Sequence, residues 1–461
     1  MKTIYLITKF ILLVYILLAI LSCDSFVEVD LPKSQLTNAA VFEDYTTADA
    51  ALTDIYANIR DNGMLSGSGY GISNQLGNYT DELICNQSSN NISLPFYNNA
   101  LLPSTTAVAG YWNSAYNQIY AANSIMEGAQ ASNALSGEQK KQLTGQAMFI
   151  RGLLHFYLVN LFGDVPYITS TDYKKNNTAS RLAAPEVYKK IILDLQSAMD
   201  LLPVGDADSQ RVRPEMAAAT ALLSRVYLYN GSYAEAANSA SSLINADMVY
   251  TLEDVDSVFL NNSRETIWQL QSGEPGRNTQ EATFFVFTSG PPSQVCLTGE
   301  LVNSFSPSDL RKTSWIKEVT NGGTTWYHPN KYKENNTTPV SREYSIVLRL
   351  SEQYLIRAEA RALQGDLIGA LEDLDKIRHR AGLSDSPAVT QAQILTAIVQ
   401  ERRWELFTER GHRFFDLKRL GLLDSTLSGV KAGWNTTDRL FPIPQTELST
   451  NPNLRPQNPG Y

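Results

Sequence analysis

Residues 349–383 read RLSEQYLIRAEARALQGDLIGALEDLDKIRHRAGL, with a stretch of helical spacing on either side of one glycine. Apolar residues recur every three or four positions before and after Gly365, which is the pattern of two amphipathic helices. Gly365 suits the left-handed turn that ends the first helix, and Asp366 suits the cap of the second. The segment therefore predicts a helical hairpin.

Residues 391–421, QAQILTAIVQERRWELFTERGHRFFDLKRLG, predict a further pair of helices with a charged face. Ile394 and Ile398 share a face with Glu401 and Glu405, because spacings of three, four and seven return to one side of a helix. We interpret this face as structural ion pairs that lock the last hairpins together, and a catalytic carboxylate pair is the alternative. The arginines nearest in sequence are Arg402, Arg403, Arg410 and Arg413.

The hairpin pattern occurs a second time, earlier in the chain. Gly231 corresponds to Gly365, and Ala236 corresponds to Ala370. A glycine turn followed by a small residue five positions later is typical of a tetratricopeptide hairpin, in which two helices cross closely. The sequence predicts a mainly α fold with about four such hairpins, long irregular loops and a few short strands. The hairpins fall in two ranges, about 138–246 and 349–421.

The composition is that of an ordinary globular protein that does not bind nucleic acid. The chain has 461 residues, 43% of them hydrophobic and 18% charged, with a net charge of −9. An acidic chain without a basic cluster does not suit a phosphate backbone. The four histidines lie at no metal-ligand spacing, so we expect no metal and no cofactor.

The N-terminus predicts a lipoprotein signal. Lysines precede an apolar run at residues 10–21, which is too short for a membrane span and suits a secretory signal. The run ends in Ser22 and Cys23, as in bacterial lipoprotein signals, and an ordinary signal is the alternative. We expect residues 1–22 to be removed, Cys23 to carry the lipid, and residues 23–34 to form a spacer. Residues 35–461 are expected to form one domain.

Two other cysteines, Cys85 and Cys296, lie far apart in sequence. They form no CxxC motif, so redox or metal chemistry has no support. We expect two buried free thiols, with one disulfide as the alternative.

Two long inserts without helical period, about 62–105 and 251–345, separate hairpins that should stack together. Both are rich in glycine, asparagine and aromatic residues, and such loops in a helical protein are usually functional. Within the second insert, ETIWQLQ at 265–271 and TFFVFT at 283–288 predict short strands. We expect the inserts to rise from one scaffold and to meet on one face. After Gly421 the chain is predicted to be mostly extended and to lie across the helices as an ordered strap.

The inserts supply the candidate ligand-binding residues. An aromatic ring can stack beneath the apolar face of a sugar ring while amide or guanidinium groups bond its hydroxyls. The candidate platforms are Trp326, Tyr327, Tyr97, Tyr70 and Tyr79. The candidate polar partners are Arg277, Asn278 and Asn74.

Several motifs in this order resemble the SusD/RagB family of nutrient-binding outer-membrane lipoproteins. Besides the lipoprotein cysteine and the segments quoted above, they are FGDVPYI at 162–168, RPEMAAATALLSRVYLYNGSYAEAANSA at 213–240, and PIPQTEL and NPNLRPQNPGY at 442–448 and 451–461. The resemblance covers nearly all of the chain after Cys23 and is weakest in the two inserts.

The resemblance implies a non-catalytic protein on the surface of a Bacteroidetes-type bacterium. It implies an outer-membrane lid over a SusC-like TonB-dependent transporter, which captures an oligosaccharide, or sometimes a peptide, and passes it inward. The motif residues themselves are expected to maintain the fold.

Three alternatives remain from the sequence. The cargo could be a peptide, and the chain could be a tetratricopeptide-type scaffold that binds only proteins, although a scaffold would not need aromatic inserts. A glycoside hydrolase needs only two carboxylates. Asp81 and Glu82 are the candidates, but adjacent side chains point apart, so hydrolysis is the least favoured.

Overall fold

The computed structural model describes residues 38–461, apart from residues 87, 89 and 206–209. The predicted signal peptide, Cys23 and the spacer at 23–34 lie outside the described residues. The helices are α1 Asn38–Val41, α2 Tyr45–Asp61, α3 Ile72–Tyr79, α4 Leu94–Tyr97, α5 Thr106–Ala131, α6 Gly137–Phe162, α7 Tyr173–Asn176, α8 Ala184–Leu201, α9 Met216–Tyr229, α10 Tyr233–Ile244, α11 Gln280–Phe285, α12 Gly299–Ser304, α13 Leu310–Trp315, α14 Leu350–Leu363, α15 Leu367–Arg380, α16 Gln391–Leu406, α17 His412–Arg419, α18 Leu423–Leu427 and α19 Gln445–Thr450. The strands are β1 Leu83–Cys85, β2 Thr266–Leu270, β3 Val295–Leu297, β4 Ile316–Asn321, β5 Thr324–Pro329 and β6 Ser345–Arg349.

The mainly α fold and the predicted hairpins are confirmed. The glycine between α14 and α15, Gly365, has φ +87°, and Gly231 between α9 and α10 has φ +78°. Asp366 caps α15, because its carboxylate accepts a hydrogen bond from the Gly369 amide at 3.0 Å. Each turn therefore uses the left-handed conformation that only glycine adopts without strain.

The hairpin helices pack into one continuous stack. Helix α5 packs on α6, α6 on α8, α8 on α9, and α9 on α10, which then packs on α14 of the later hairpin. Ala236 and Ala370, at matching places in the two repeats, are both fully buried. Small side chains at these positions let neighbouring helices approach closely, as the sequence pattern predicts.

The described strands form three separate two-stranded antiparallel sheets. Strand β2 pairs with β6, β4 pairs with β5, and β1 pairs with β3. The prediction of a strand at 283–288 was wrong, since its first three residues end α11. Thr279 precedes that helix and caps it, because its hydroxyl accepts a hydrogen bond from the Ala282 amide at 3.1 Å.

The first insert contains a helix that its sequence does not reveal. Every residue of α3, ISNQLGNY, is buried. A helix that is covered on all sides has no face in solvent. The alternation of an apolar and a polar face, which predicts a surface helix, is therefore absent.

The C-terminal segment lies across the helices, as expected. The Phe441 amide donates to the Leu161 carbonyl at 2.8 Å, and the Asn458 amide group donates to the Phe162 carbonyl at 2.7 Å. These bonds connect the strap to the last turn of α6. The strap is not wholly extended, since it includes the short helix α19.

A buried group of charges joins the last hairpins to the second insert. The Glu405 carboxylate on α16 contacts Arg311 of α13 at 3.0 Å, Arg349 of β6 at 2.5 Å, and Arg380 of α15. Its side chain has no exposed surface. Burial favours the neutral acid, but the three guanidinium groups outweigh it and hold the pKa of Glu405 well below its usual range.

The ion-pair interpretation of the charged face is thus confirmed, but the expected partners were wrong. Glu401 and Glu405 both bind Arg311, which lies about ninety residues earlier in the chain. Of the arginines near them in sequence, Arg402 instead pairs with Asp416 at 2.7 Å, and Arg403 pairs with Asp81 at 2.8 Å. Helix faces place the carboxylates correctly, whereas the choice of cation depends on tertiary packing.

Cys85 and Cys296 are not bridged to each other, as expected. Both side chains are buried. Cys296 lies directly opposite Ile84 in the β1–β3 pair, so it faces the other side of the sheet from Cys85. A bridge between them would require a change of register.

Among the helices in the part of the chain described, none combines the length and apolar character needed to cross a membrane.

We expect Glu405→Gln to lower the free energy of unfolding by about 3–5 kcal/mol, because it leaves buried arginines without their counter-charge. Urea unfolding at neutral pH would measure the loss. The control is Glu186→Gln, whose exposed pair with Lys189 should contribute less than about 1 kcal/mol. Equal stability of the two variants would contradict a structural role for the Glu405 charges.

Candidate functional site

The two inserts meet, as the sequence suggested. Strand β1 of the first insert pairs with β3 of the second, with Leu83 opposite Leu297. Beyond the strands, the Asn86 amide group donates to the Pro292 carbonyl at 3.1 Å, and that of Asn91 donates to the Gln294 carbonyl at 2.9 Å. The inserts therefore form one continuous surface, which we call the insert junction.

The glycine-rich turn of the first insert lies directly on α11 of the second. A Cβ on Gly69 would come within 2.6 Å of the Phe284 ring, so only glycine permits this approach. Tyr70 follows, and 54% of it is exposed. The Tyr111 hydroxyl donates to the Tyr70 carbonyl at 2.6 Å, which fixes the backbone while the Tyr70 ring stays in solvent.

Trp326 lies near residue 290, at the other end of the segment that begins at Phe284. A Cβ on Gly290 would come within 2.2 Å of the six-membered indole ring, so the backbone of residue 290 lies against the ring. The Asn321 amide group donates to the Gly290 carbonyl at 2.7 Å and holds this contact. Trp326 is half-buried. Residues 284–290 thus reach from Gly69, the neighbour of Tyr70, at one end to the Trp326 ring at the other.

The other two accessible tyrosines are engaged by the protein. Tyr327 lies on the opposite side of the β4–β5 hairpin from Trp326, because neighbouring strand residues alternate, and it packs against the core. The Lys431 ammonium lies 3.9 Å from the centroid of the Tyr97 ring. One face of Tyr97 is therefore occupied by a cation.

Tyr79 and Asn74 are not available to a ligand, so their prediction as binding residues was wrong. Both lie on the buried helix α3 and have no exposed surface. The Tyr79 hydroxyl donates to the Asp438 carbonyl at 3.1 Å, and its ring packs edge-on against Phe441. The Asn74 amide group donates to Ser93 and to the backbone at Gly69. Both side chains maintain the first insert.

Arg277 and Asn278 line a cavity of about 590 Å³ beside the insert junction. The Asn278 side chain is fully used there, since its oxygen accepts from the Arg342 and Glu343 amides while its nitrogen donates to Thr338 at 3.0 Å. Arg277 is exposed and pairs with Glu274 at 2.9 Å. The cavity lining contains no aromatic side chain among the described residues. These two residues therefore lie together, apart from the aromatic platforms.

Sequence reasoning missed two aromatic residues at the junction, Phe284 and Phe287. Phe284 lies under Gly69, and the Phe287 ring lies 4.9 Å from that of His328, on the same side of the hairpin as Trp326. The TFFVFT segment showed their aromatic character, but its interpretation as a strand gave no reason to place them beside Tyr70.

Comparison with known proteins identifies the family. A family model described as "Starch-binding associating with outer membrane" matches residues 26–228, and the model of the "SusD family" matches residues 308–461. The chain belongs to the SusD family. Two relatives from Formosa agariphila are SusD-like protein P2, 28% identical over 77% of this chain and 81% of its own length, and SusD-like protein P25, 22% identical over 97% and 98%.

Solved SusD structures share the fold. A SusD superfamily protein from Bacteroides vulgatus superimposes with a TM-score of 0.79 at 24% identity, covering 91% of this chain and all of its own. A "Laminarin binding SusD-like protein" superimposes with a TM-score of 0.77 at 27% identity, covering 90% of this chain and 99% of its own.

In this SusD-family chain, the two carboxylates considered for hydrolysis, Asp81 and Glu82, are buried within the first insert. Asp81 accepts hydrogen bonds from Arg403 and Arg413 at 2.8 to 2.9 Å. Burial opposes its ionisation, but these arginines lower its pKa overall. Glu82 has no such pair, and burial, followed by the charge of Asp81, raises its pKa to about 7. Neither carboxylate is arranged to act on an external substrate.

We expect Glu82→Gln to stabilise the protein at pH 8 but not at pH 4.5. The folded-state pKa of about 7 lies above the unfolded value near 4.5, so wild-type stability falls as pH rises between them. The full difference is about 3 kcal/mol, at about 1.4 kcal/mol per pKa unit. Urea unfolding at both pH values measures it.

The matched control is Glu372→Gln, on an exposed surface of α15, which should change stability equally little at both pH values. A Glu82→Gln effect that is the same at pH 4.5 and pH 8 would show that Glu82 ionises normally in the folded state.

Proposed function

We propose that this SusD-family protein is a lipid-anchored outer-membrane lipoprotein on the cell surface, which binds oligosaccharides and passes them to a SusC-like TonB-dependent transporter. One observation carries the proposal. The two inserts are paired through β1 and β3, and residues 284–290 of the second insert reach from Gly69, the neighbour of Tyr70, to the Trp326 ring.

This geometry suits a glycan chain. An extended chain rises at most about 3.6 Å per residue, so the ends of segment 284–290 lie within about 20 Å of each other. Rings at such a spacing would contact different units of one oligosaccharide. Each platform contributes about 0.5–3 kcal/mol by stacking and burial, which corresponds to micromolar to millimolar binding when two or three act together. Such affinity permits release to a transporter.

The comparisons support the cargo class and the location. One solved neighbour carries laminarin binding in its name, and the description of the family model that matches residues 26–228 names starch binding and the outer membrane. The apolar run that ends at Cys23 supports attachment through a lipid.

The structure gives less support to the alternatives. Aromatic platforms on paired inserts have no role in a scaffold that binds only through helical hairpins. Hydrolysis at Asp81 and Glu82 would require two buried side chains, 5% and 3% exposed, to reach solvent. Peptide cargo is the remaining alternative, and the binding experiment described below includes a peptide panel to test it.

In affinity electrophoresis through starch or laminarin, we expect the chain from Asp24 onward to be retarded. Trp326→Ala and Tyr70→Ala should each weaken retention about tenfold, the effect of losing about 1.4 kcal/mol of stacking. Because both rings are partly exposed, the melting temperature should change little. Chromatography of the incubated glycan should show no shortened chains.

The control is Ile368→Ala, a similar loss of apolar surface at a position that is 77% exposed on α15. Retention equal to wild type in both aromatic variants would remove Tyr70 and Trp326 from the site. Binding of a peptide panel in place of the glycans would change the cargo class, and shortened glycans would establish a hydrolase.

We expect Cys23→Ala to move the protein from the membrane fraction to the soluble fraction of cells, because alanine has no thiol to which the lipid can be attached. Each buried methylene contributes about 0.8 kcal/mol to anchoring. The control is Cys85→Ala, which removes a buried thiol outside the signal. Membrane association that persists in Cys23→Ala would contradict the lipid anchor.

A further inference from the structure

A second cleft lies outside both inserts. It has a volume of about 490 Å³ and is formed by α5, the segment from 166 to 177 and the C-terminal strap around α19. We call it the strap cleft. None of its lining residues belongs to the insert ranges 62–105 and 251–345, so it is separate from the insert junction.

The floor of the strap cleft is apolar and fixed. Trp112 and Tyr116 pack with their ring centroids 4.9 Å apart, and Ile168 and Leu454 complete the surface. The Tyr116 hydroxyl donates to the Pro166 carbonyl at 2.8 Å. The floor therefore offers aromatic and aliphatic surface, and its one hydroxyl, that of Tyr116, is already bonded.

Two exposed tyrosines border this floor from different elements. Tyr120 of α5 is 46% exposed and Tyr173 of α7 is 64% exposed. Neither ring contacts another aromatic ring or a cation in the described part of the chain, in contrast to Tyr97 at the junction. Large aromatic rings that are left in solvent on two sides of an apolar floor are available to stack on a ligand.

The cleft also presents unused amide groups. The side chains of Asn113, Asn117 and Asn177 line it, and none of them has a hydrogen-bond partner within the described ranges. Each offers two donors and one acceptor oxygen, which match the hydroxyl groups of a sugar. Asn113, Asn117 and Tyr120 lie along one side of α5, because their spacings of four and three return to the same face.

The walls are preformed. The Asn176 amide group donates to the Ser170 carbonyl at 2.8 Å, and that of Asn451 connects the strap to the Ala179 carbonyl at 2.8 Å. Arg181 donates to the Asp164 carbonyl and to the Pro456 carbonyl of the strap, both at 2.8 Å. A ligand would thus meet a cleft that needs little ordering.

We propose that the strap cleft is a second glycan-binding site, which takes a neutral oligosaccharide between Tyr120 and Tyr173. Neutral cargo follows from the charges, since the lining holds one carboxylate, Glu447, and no lysine or arginine to bind a sulfated or acidic glycan. The inference rests on the proposed function for its class of cargo. It differs in predicting that one chain holds two sugar segments at once.

Calorimetric titration with short starch and laminarin oligosaccharides tests the proposal on the chain from Asp24 onward. The wild type should bind two molecules of one of them. The double variant Tyr120→Ala, Tyr173→Ala should bind one, at the insert junction. The double variant Tyr70→Ala, Trp326→Ala should also bind one, and adding the two cleft substitutions to it should weaken the remaining binding at least tenfold. An oligosaccharide of uronic acids should not bind the cleft.

Met248→Ala is the matched control, because it removes a side chain that is 85% exposed outside both sites and should leave two molecules bound. The second site is overturned if the wild type binds only one molecule and the Tyr70→Ala, Trp326→Ala variant loses that binding. The proposed function would remain intact. A wild type that binds neither glucan overturns the proposed function and the second site together. Loss of transporter co-purification from the cleft variant, with two sugars still bound, would make the cleft a protein interface.

Discussion

The buried carboxylate of Glu405 among three arginines is the contact on which the arrangement of this molecule depends. Removing these charges from water costs several kcal/mol per ion, and only a fully paired arrangement offsets that cost. Arg311, Arg349 and Arg380 come from α13, β6 and α15, so the carboxylate can be paired only when these elements are all in place. The contact therefore contributes to specificity of assembly as much as to stability.

The same hairpins also hold the insert junction, the proposed ligand-binding surface. Arg311 belongs to the second insert and is anchored by α16, while Arg403 of α16 and Arg413 of α17 hold Asp81 of the first insert. The inserts can consequently lack helical period and still be ordered, since ion pairs with the hairpin helices hold their charged residues in place. The hairpins and the inserts therefore have different physical roles. The hairpins supply rigidity, and the inserts present aromatic rings that no core requires.

The sequence was sufficient for features that depend on local spacing and insufficient for those that depend on distant packing. The turn at Gly365 and the helix cap at Asp366 could be predicted, because both depend on residues at the turn itself. The pair between Glu405 and Arg311 could not, because nothing in the sequence near Glu405 indicates a partner about ninety residues away. Tyr79 and Asn74 were predicted as ligand contacts because polar and aromatic residues without period resemble a loop. The structure buries both in α3, where asparagines bond to neighbouring backbone instead of to ligand. Trp326 is partly covered by an equally remote contact, the approach of Gly290 to its ring.

Two weak sites on one tethered chain would act differently from one strong site. With both proposed sites, a polysaccharide held at the insert junction would keep its other segments near the strap cleft, so the second contact would form at a high effective concentration when the glycan can span the distance. Retention then rises without any single contact becoming tight. Each segment still dissociates quickly, which is what transfer to a transporter requires. A protein that must hold long chains and release them piece by piece is thus better served by exposed platforms such as Tyr120 and Tyr70 than by one deep pocket.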